Sequence, residues 1–174
     1  MYVASEAGVI ENAVARGDAK ILGTAIVSGS AVVSDSAVIG EDARVFGSAR
    51  VSEHARVTGR GVVAGNAQVS GRAAILSEAQ VFGNAAVTGD AVIGGNAKVA
   101  GKAFVWDKAA VFDTAQVWDF AVILGDSQIY GEARVYGNAR VSGSVRISGS
   151  AVVDGYSEVY GHAEVIDRGR VTWQ

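Results

Sequence analysis

Between Phe104 and Phe120 the chain reads FVWDKAAVFDTAQVWDF, with five aromatic side chains and three aromatic–Asp pairs: Trp106–Asp107, Phe112–Asp113 and Trp118–Asp119. Rings that can stack on a ligand, beside carboxylates that can move a proton, are the residue types of a binding or acid–base site. His54 and His162 are the two histidines, and they are the remaining candidates for general-base or metal chemistry. None of these groups does chemistry unless it meets the others in space, so the elements that position them decide the matter.

Those elements follow from a repeat. Cut into sixes from Met1, the 174 residues form 29 hexads with no residue inserted or left over. Position one is Ala in 23 hexads, position three is Val or Ile in 28 (Ala15 is the exception), and position five is Gly in 18. The consensus is A-x-[VI]-x-G-x. Positions one and three lie two apart and point the same way on a strand, so they face inward while position two faces out. Positions four to six make a turn, for which Gly at five supplies a permissive backbone. A 3.6-residue helical period does not fit inward residues at 1, 3, 7, 9 and 13. One hexad cannot bury its apolar face alone, so successive turns must stack.

The in-register aliphatics and segments such as VYGNAR (135–140), VFGNAA (81–86) and IGGNAK (93–98) resemble the hexapeptide-repeat superfamily of left-handed parallel β-helices. The spelling is similar to bacterial and phage solenoids of the transferase-like kind. The resemblance implies an all-β, single-domain β-solenoid over residues 1–174, with a left-handed coil of three hexads, 18 residues in all. About 9–10 coils follow, roughly 46 Å tall at ~4.8 Å per strand layer.

In that arrangement residue i lies beside i±18. Trp106, Phe112 and Trp118 then occupy three different corners and form a belt, and their aspartates are separated likewise. A paired-carboxylate mechanism fails on this geometry. Asp107, Asp113 and Asp119 read as corner substitutions for Gly, since Asp tolerates the same turn conformation. In the columns, Trp118 adjoins Tyr136, Phe112 adjoins Tyr130, and Trp106 adjoins Leu124. Phe120 shares Trp118's corner, and Phe104 stands on a flat side beside Val122. These rings form an apolar belt suited to self-association or to carbohydrate stacking. Ala74, Val92 and Ala110 make a smooth ladder on one face, the expected place for a lateral interface. Arg44, Arg50 and Arg56 ring one coil, and Arg134, Arg140 and Arg146 ring another.

Acyltransferases of the superfamily work through loops that break the repeat and a His general base. This sequence has no such break. His54 and His162 fall on one edge, six coils or roughly 29 Å apart, with Arg72 in the column beside His54. They are the catalytic candidates should the chain be an acyltransferase-like protein or an inactive relative acting as a trimer. The carbonic-anhydrase branch needs three zinc-binding histidines, so no metal and no cofactor are expected. Net charge of −3 without a basic run argues against nucleic acid. No stretch has the length of a membrane span, nor is there a secretory leader. The location expected is the cytoplasm, or a surface or phage structure reached without a leader. Cysteine is absent, which removes disulfides and thiolate metal sites.

The repeat is running at Tyr2–Val3 and still running at Val171, with no capping helix or loop. Either the sequence is a segment of a longer protein or its open edges pair. The expected function is a non-enzymatic, self-assembling solenoid whose partner is a second copy of itself, stacked end to end into a rod or filament or packed laterally. A glycan-binding spike is the further alternative.

Overall fold

A computed structural model describes residues 1–173. It contains 29 strands, one per hexad, 25 of them two residues long. They form three parallel sheets of 10, 10 and 9 strands. The first face runs from Tyr2–Val3 to Glu164–Val165, the second from Gly8–Val9 to Arg170–Trp173, and the third from Val14–Ala15 to Glu158–Gly161. Strands pair in register with the residue 18 further on: Ala74 with Val92, Lys98 with Gln116, Phe104 with Val122. The expected 18-residue coil and parallel solenoid are therefore present, in about ten turns. No helix long and apolar enough to cross a membrane occurs among the described residues.

The local cause is visible in each hexad. Positions one and three are buried through the middle of the chain, as in Ala91 and Ile93, both 0% exposed. Ala is small enough for the crowded point just past a corner, and the β-branched side chains fill the middle of the triangle and suit a pleated strand. Each fully buried Val or Ile contributes about 1.5–3 kcal/mol relative to exposure. Where position one is Ser, its hydroxyl is satisfied locally: Ser127 Oγ donates to the Leu124 carbonyl at 2.8 Å, and Ser157 Oγ to that of Asp154 at 2.6 Å.

Corners are held by a second ladder. The N–H groups of positions two, four and six donate to carbonyls 17 residues on, as Ala74 to Ala91, Leu76 to Ile93 and Glu78 to Gly95, all at 2.9 Å. Every residue with positive φ stands at position five. A Cβ built on Gly71 (φ +72) would lie 2.6 Å from the Gly89 carbonyl oxygen, so both conformation and space favour glycine there. Near the end of the chain four strands, Arg140–Gly143, Val152–Gly155, Glu158–Gly161 and Arg170–Trp173, continue through the corner to position five.

Candidate functional site

The three aromatic–Asp pairs lie at the three corners of one coil and do not converge. Their carboxylates have a task the sequence reading missed. Asp107, Asp113 and Asp119 adopt φ of 61°, 58° and 60°. From there each Oδ2 accepts the N–H of the position-five residue one coil on: Gly125 at 3.1 Å, Gly131 at 2.9 Å and Gly137 at 3.2 Å. Glu11 does the same for Gly29, Asp35 for Glu53, and Glu53 for Gly71. The corner ladder leaves this N–H without a backbone acceptor, and the acid supplies one. The bond from Glu53 N–H, followed by that from the Ser34 hydroxyl, holds the Asp35 carboxyl below its ordinary range. The signal was present in the sequence as an acid followed by Gly or another acid 18 positions later.

The rings behave differently at each corner. Trp118 stacks on Tyr136 with centroids 4.6 Å apart and planes 6° apart, as their column placement predicts. Trp106 instead meets Phe104 edge-on at 5.8 Å and lies over Gly89, where its Cδ1 would sit 2.9 Å from an added Cβ. Phe112 turns down onto Gly94, its ring filling the place a side chain there would take, and no ring pair with Tyr130 forms among the described residues. Lys102 Nζ lies 5.0 Å from the centroid of Phe120, a cation–π contact across one coil.

Although the belt makes no common pocket, one of its rings lines a groove with residues of its own column. Phe82, Ala100 and Trp118 bound an opening of about 310 Å³, with Lys98, Gln116 and Asp119 around it. Further up the column the Tyr136 hydroxyl donates to Asp154 Oδ2 at 2.8 Å, and Arg170 donates to the same oxygen at 2.7 Å. The bond to Asp154, with burial, raises the Tyr136 pKa. Thr172 beside it, then Tyr136 and Arg170, lower that of Asp154, although Asp154 Oδ1 lies buried outside good hydrogen-bond geometry with any group.

Neither histidine lies in the aromatic belt. Both are exposed, and neither imidazole makes a hydrogen bond among the described residues. Arg72 is engaged with Asp90, two guanidinium nitrogens on two carboxylate oxygens at 2.6 and 2.9 Å. That pairing raises the Arg72 pKa and lowers that of Asp90. No group of three His, Cys, Asp or Glu able to hold a metal ion occurs among the described residues. Ala74, Val92 and Ala110 form the flat ladder read from the repeat. Another groove, about 540 Å³, runs along the second face past Arg44, Arg60 and Glu78. Its rim is closed by the Arg60–Glu78 pair at 2.8 Å and a Thr24–Asp42 hydrogen bond.

Residues 79–95, 127–143 and 133–149 match a family model described as the YdcK β-solenoid repeat. Each match begins at position one of a hexad and spans nearly one coil, the last two offset by one hexad. No curated protein matches the chain. Repeat, matches and coil geometry together make this chain a parallel β-solenoid of about ten 18-residue coils, consistent with a hexapeptide-repeat-like β-helix.

Proposed function

We propose that this solenoid is a non-enzymatic structural module that associates with copies of itself. The observation that carries the reading is the direction of its polar side-chain bonds. Several polar groups bond along the axis, to residues 16 to 18 positions away: Asp107, Asp113 and Asp119 to the same corner one coil on, Arg72 to Asp90, Arg60 to Glu78, Arg170 to Asp154. Such contacts hold coil to coil and engage these side chains within the solenoid.

End-to-end stacking is the favoured mode. At one edge stand Tyr2–Val3, Gly8–Val9 and Val14–Ala15, and at the other Glu158–Gly161, Glu164–Val165 and Arg170–Trp173, each with a strand neighbour on one side. The inward residues there, Val3, Val9 and Ala15 against Ala163, Val165 and Val171, are only partly buried. A coil from a second copy would cover them and complete the ladders. A contact of that heterologous type propagates as a filament. Negative-stain microscopy and light scattering of the purified chain across a concentration series test this. Rods that lengthen with concentration, and shorten in a Val165→Lys variant, are expected. Monodisperse single particles at the highest concentration overturn it. Discrete trimers broken by Val92→Lys would instead assign the association to the flat ladder.

A further inference from the structure

We infer that the notch over Ala100, between Phe82 and Trp118, is a binding site for a neutral pyranose unit of an oligosaccharide. The second corner carries, in successive coils, Phe46, Ala64, Phe82, Ala100, Trp118 and Tyr136, so large and small side chains alternate before the Trp–Tyr stack. Ala64 and Ala100 occupy equivalent places between two rings. Ala64 is covered, at 7% exposure, whereas Ala100 stays partly open and lines the 310 Å³ groove. Trp118 is the difference. Its indole is held flat against Tyr136 on the far side, which leaves the opposite face to the Ala100 rung and the groove it shares with Phe82.

The dimensions suit one ring. Phe82 and Trp118 are two coils apart, ~9.6 Å at the strand-layer spacing. A single ring placed over Ala100 then sits ~4.8 Å from each, within the range of ring-to-ring contact. The ligand's ring takes the rung that alanine leaves vacant. The surrounding groups choose its chemistry. Lys98 donates, Gln116 donates and accepts, and Asp119 accepts; Lys98 and Asp119 cancel in charge. With those charges balanced the margin favours neither an anion nor a cation, and a purely apolar ring would leave Lys98, Gln116 and the second oxygen of Asp119, whose first accepts the Gly137 N–H, unused. A ring with C–H faces and a hydroxyl edge satisfies both the aromatic walls and the polar margin. The volume lies at the lower end for small-ligand sites.

The site goes beyond the structural role and is read separately from it, because occupancy of a corner notch leaves the strand edges free. Maltohexaose, cellohexaose and fully N-acetylated chitohexaose serve as probes, followed by saturation-transfer NMR and by tryptophan fluorescence. At least one is expected to bind saturably, with transfer to its ring C–H protons. Trp118→Ala and Ala100→Phe should each weaken it about tenfold or more, while Trp106→Ala, at another corner, leaves it unchanged. Phe already stands at equivalent column positions 46 and 82, so Ala100→Phe fills the notch with a side chain this corner accepts. Far-UV circular dichroism checks the fold of each variant, and Trp118→Ala gives the reading by itself should the other lose its β spectrum. Absence of saturable binding by all three probes at ~10 mM, or binding undiminished in the folded variants, overturns the inference.

Discussion

A carboxylate at position five does the work of a bracket. Asp113 sits at φ +58° and receives the Gly131 N–H at 2.9 Å; the left-handed conformation costs about 1–2 kcal/mol in a non-glycine residue, and the bond to an ionised acceptor offsets it. Asp113→Ala keeps the strain and loses the bond, so it should lower stability by about 1–2 kcal/mol in urea titration. Asp113→Gly, which loses both, should stay within about 0.5 kcal/mol of the parent. Amide exchange at Gly131 should quicken in both variants, which separates the bracket from a generic corner effect. Asp35, Asp90 and Asp154 are all more acidic in the folded chain than their ordinary value of 3.8. Groups shifted this way stabilise the fold above that value, and the contribution is lost as pH falls through and below it. The melting temperature should therefore hold steady from about pH 7 to 5 and drop below about pH 4. Asp154→Asn should flatten part of that drop, because it removes the carboxylate that holds Arg170 and Tyr136.

Within a hexad, the strand and the corner obey different constraints, and glycine substitutions separate them. Gly71 has φ +72 and a would-be Cβ contact of 2.6 Å with backbone, so Gly71→Ala should cost about 2 kcal/mol or more. Gly40 stands at position four without positive φ, its nearest would-be contact the Thr58 methyl at 3.6 Å. Gly40→Ala should be neutral or slightly stabilising in the same denaturation experiment. Inside the strand, Ile93 is fully buried, and Ile93→Ala should cost about 3 kcal/mol through lost burial and the cavity left behind. All of this was legible in the repeat, because position in the hexad sets inward or outward direction and the need for a left-handed corner. The turning of Phe112 onto Gly94, and of Trp106 toward Phe104, was not legible. Both rings share hexad position four with Trp118, and the different neighbours in each column leave room for different rotamers, Gly94 under Phe112 and Gly89 with Phe104 beside Trp106.

For the whole molecule, stability accumulates coil by coil through contacts with the nearest neighbours. Removing residues 61–78, one full coil, joins Arg60 at position six to Ala79 at position one. The shortened chain should keep its β spectrum per residue and melt at a moderately lower temperature. Removing one residue within a central strand, such as Val92, should be far worse, since a one-residue slip sends inward side chains out for the rest of that coil. The parallel ladder at 18-residue register is the reason a coil is the natural unit of deletion.

The sequence by itself determined the period, the strand in every hexad, the inward aliphatics and the corner at position five. These are set by side-chain alternation and by the backbone needs of a turn, both local properties. The coil of three hexads, which the family resemblance implied and the 18-residue pairing bears out, placed the three aromatic–Asp pairs on separate corners. Only the tertiary structure decided what those residues do instead: the aspartates take the leftover corner N–H, Trp118 lies flat on Tyr136, and a notch stays open over Ala100. Those outcomes depend on rotamers chosen between residues 18 apart, where the size and hydrogen-bonding capacity of the neighbour above or below compete, and no six-residue pattern contains that information.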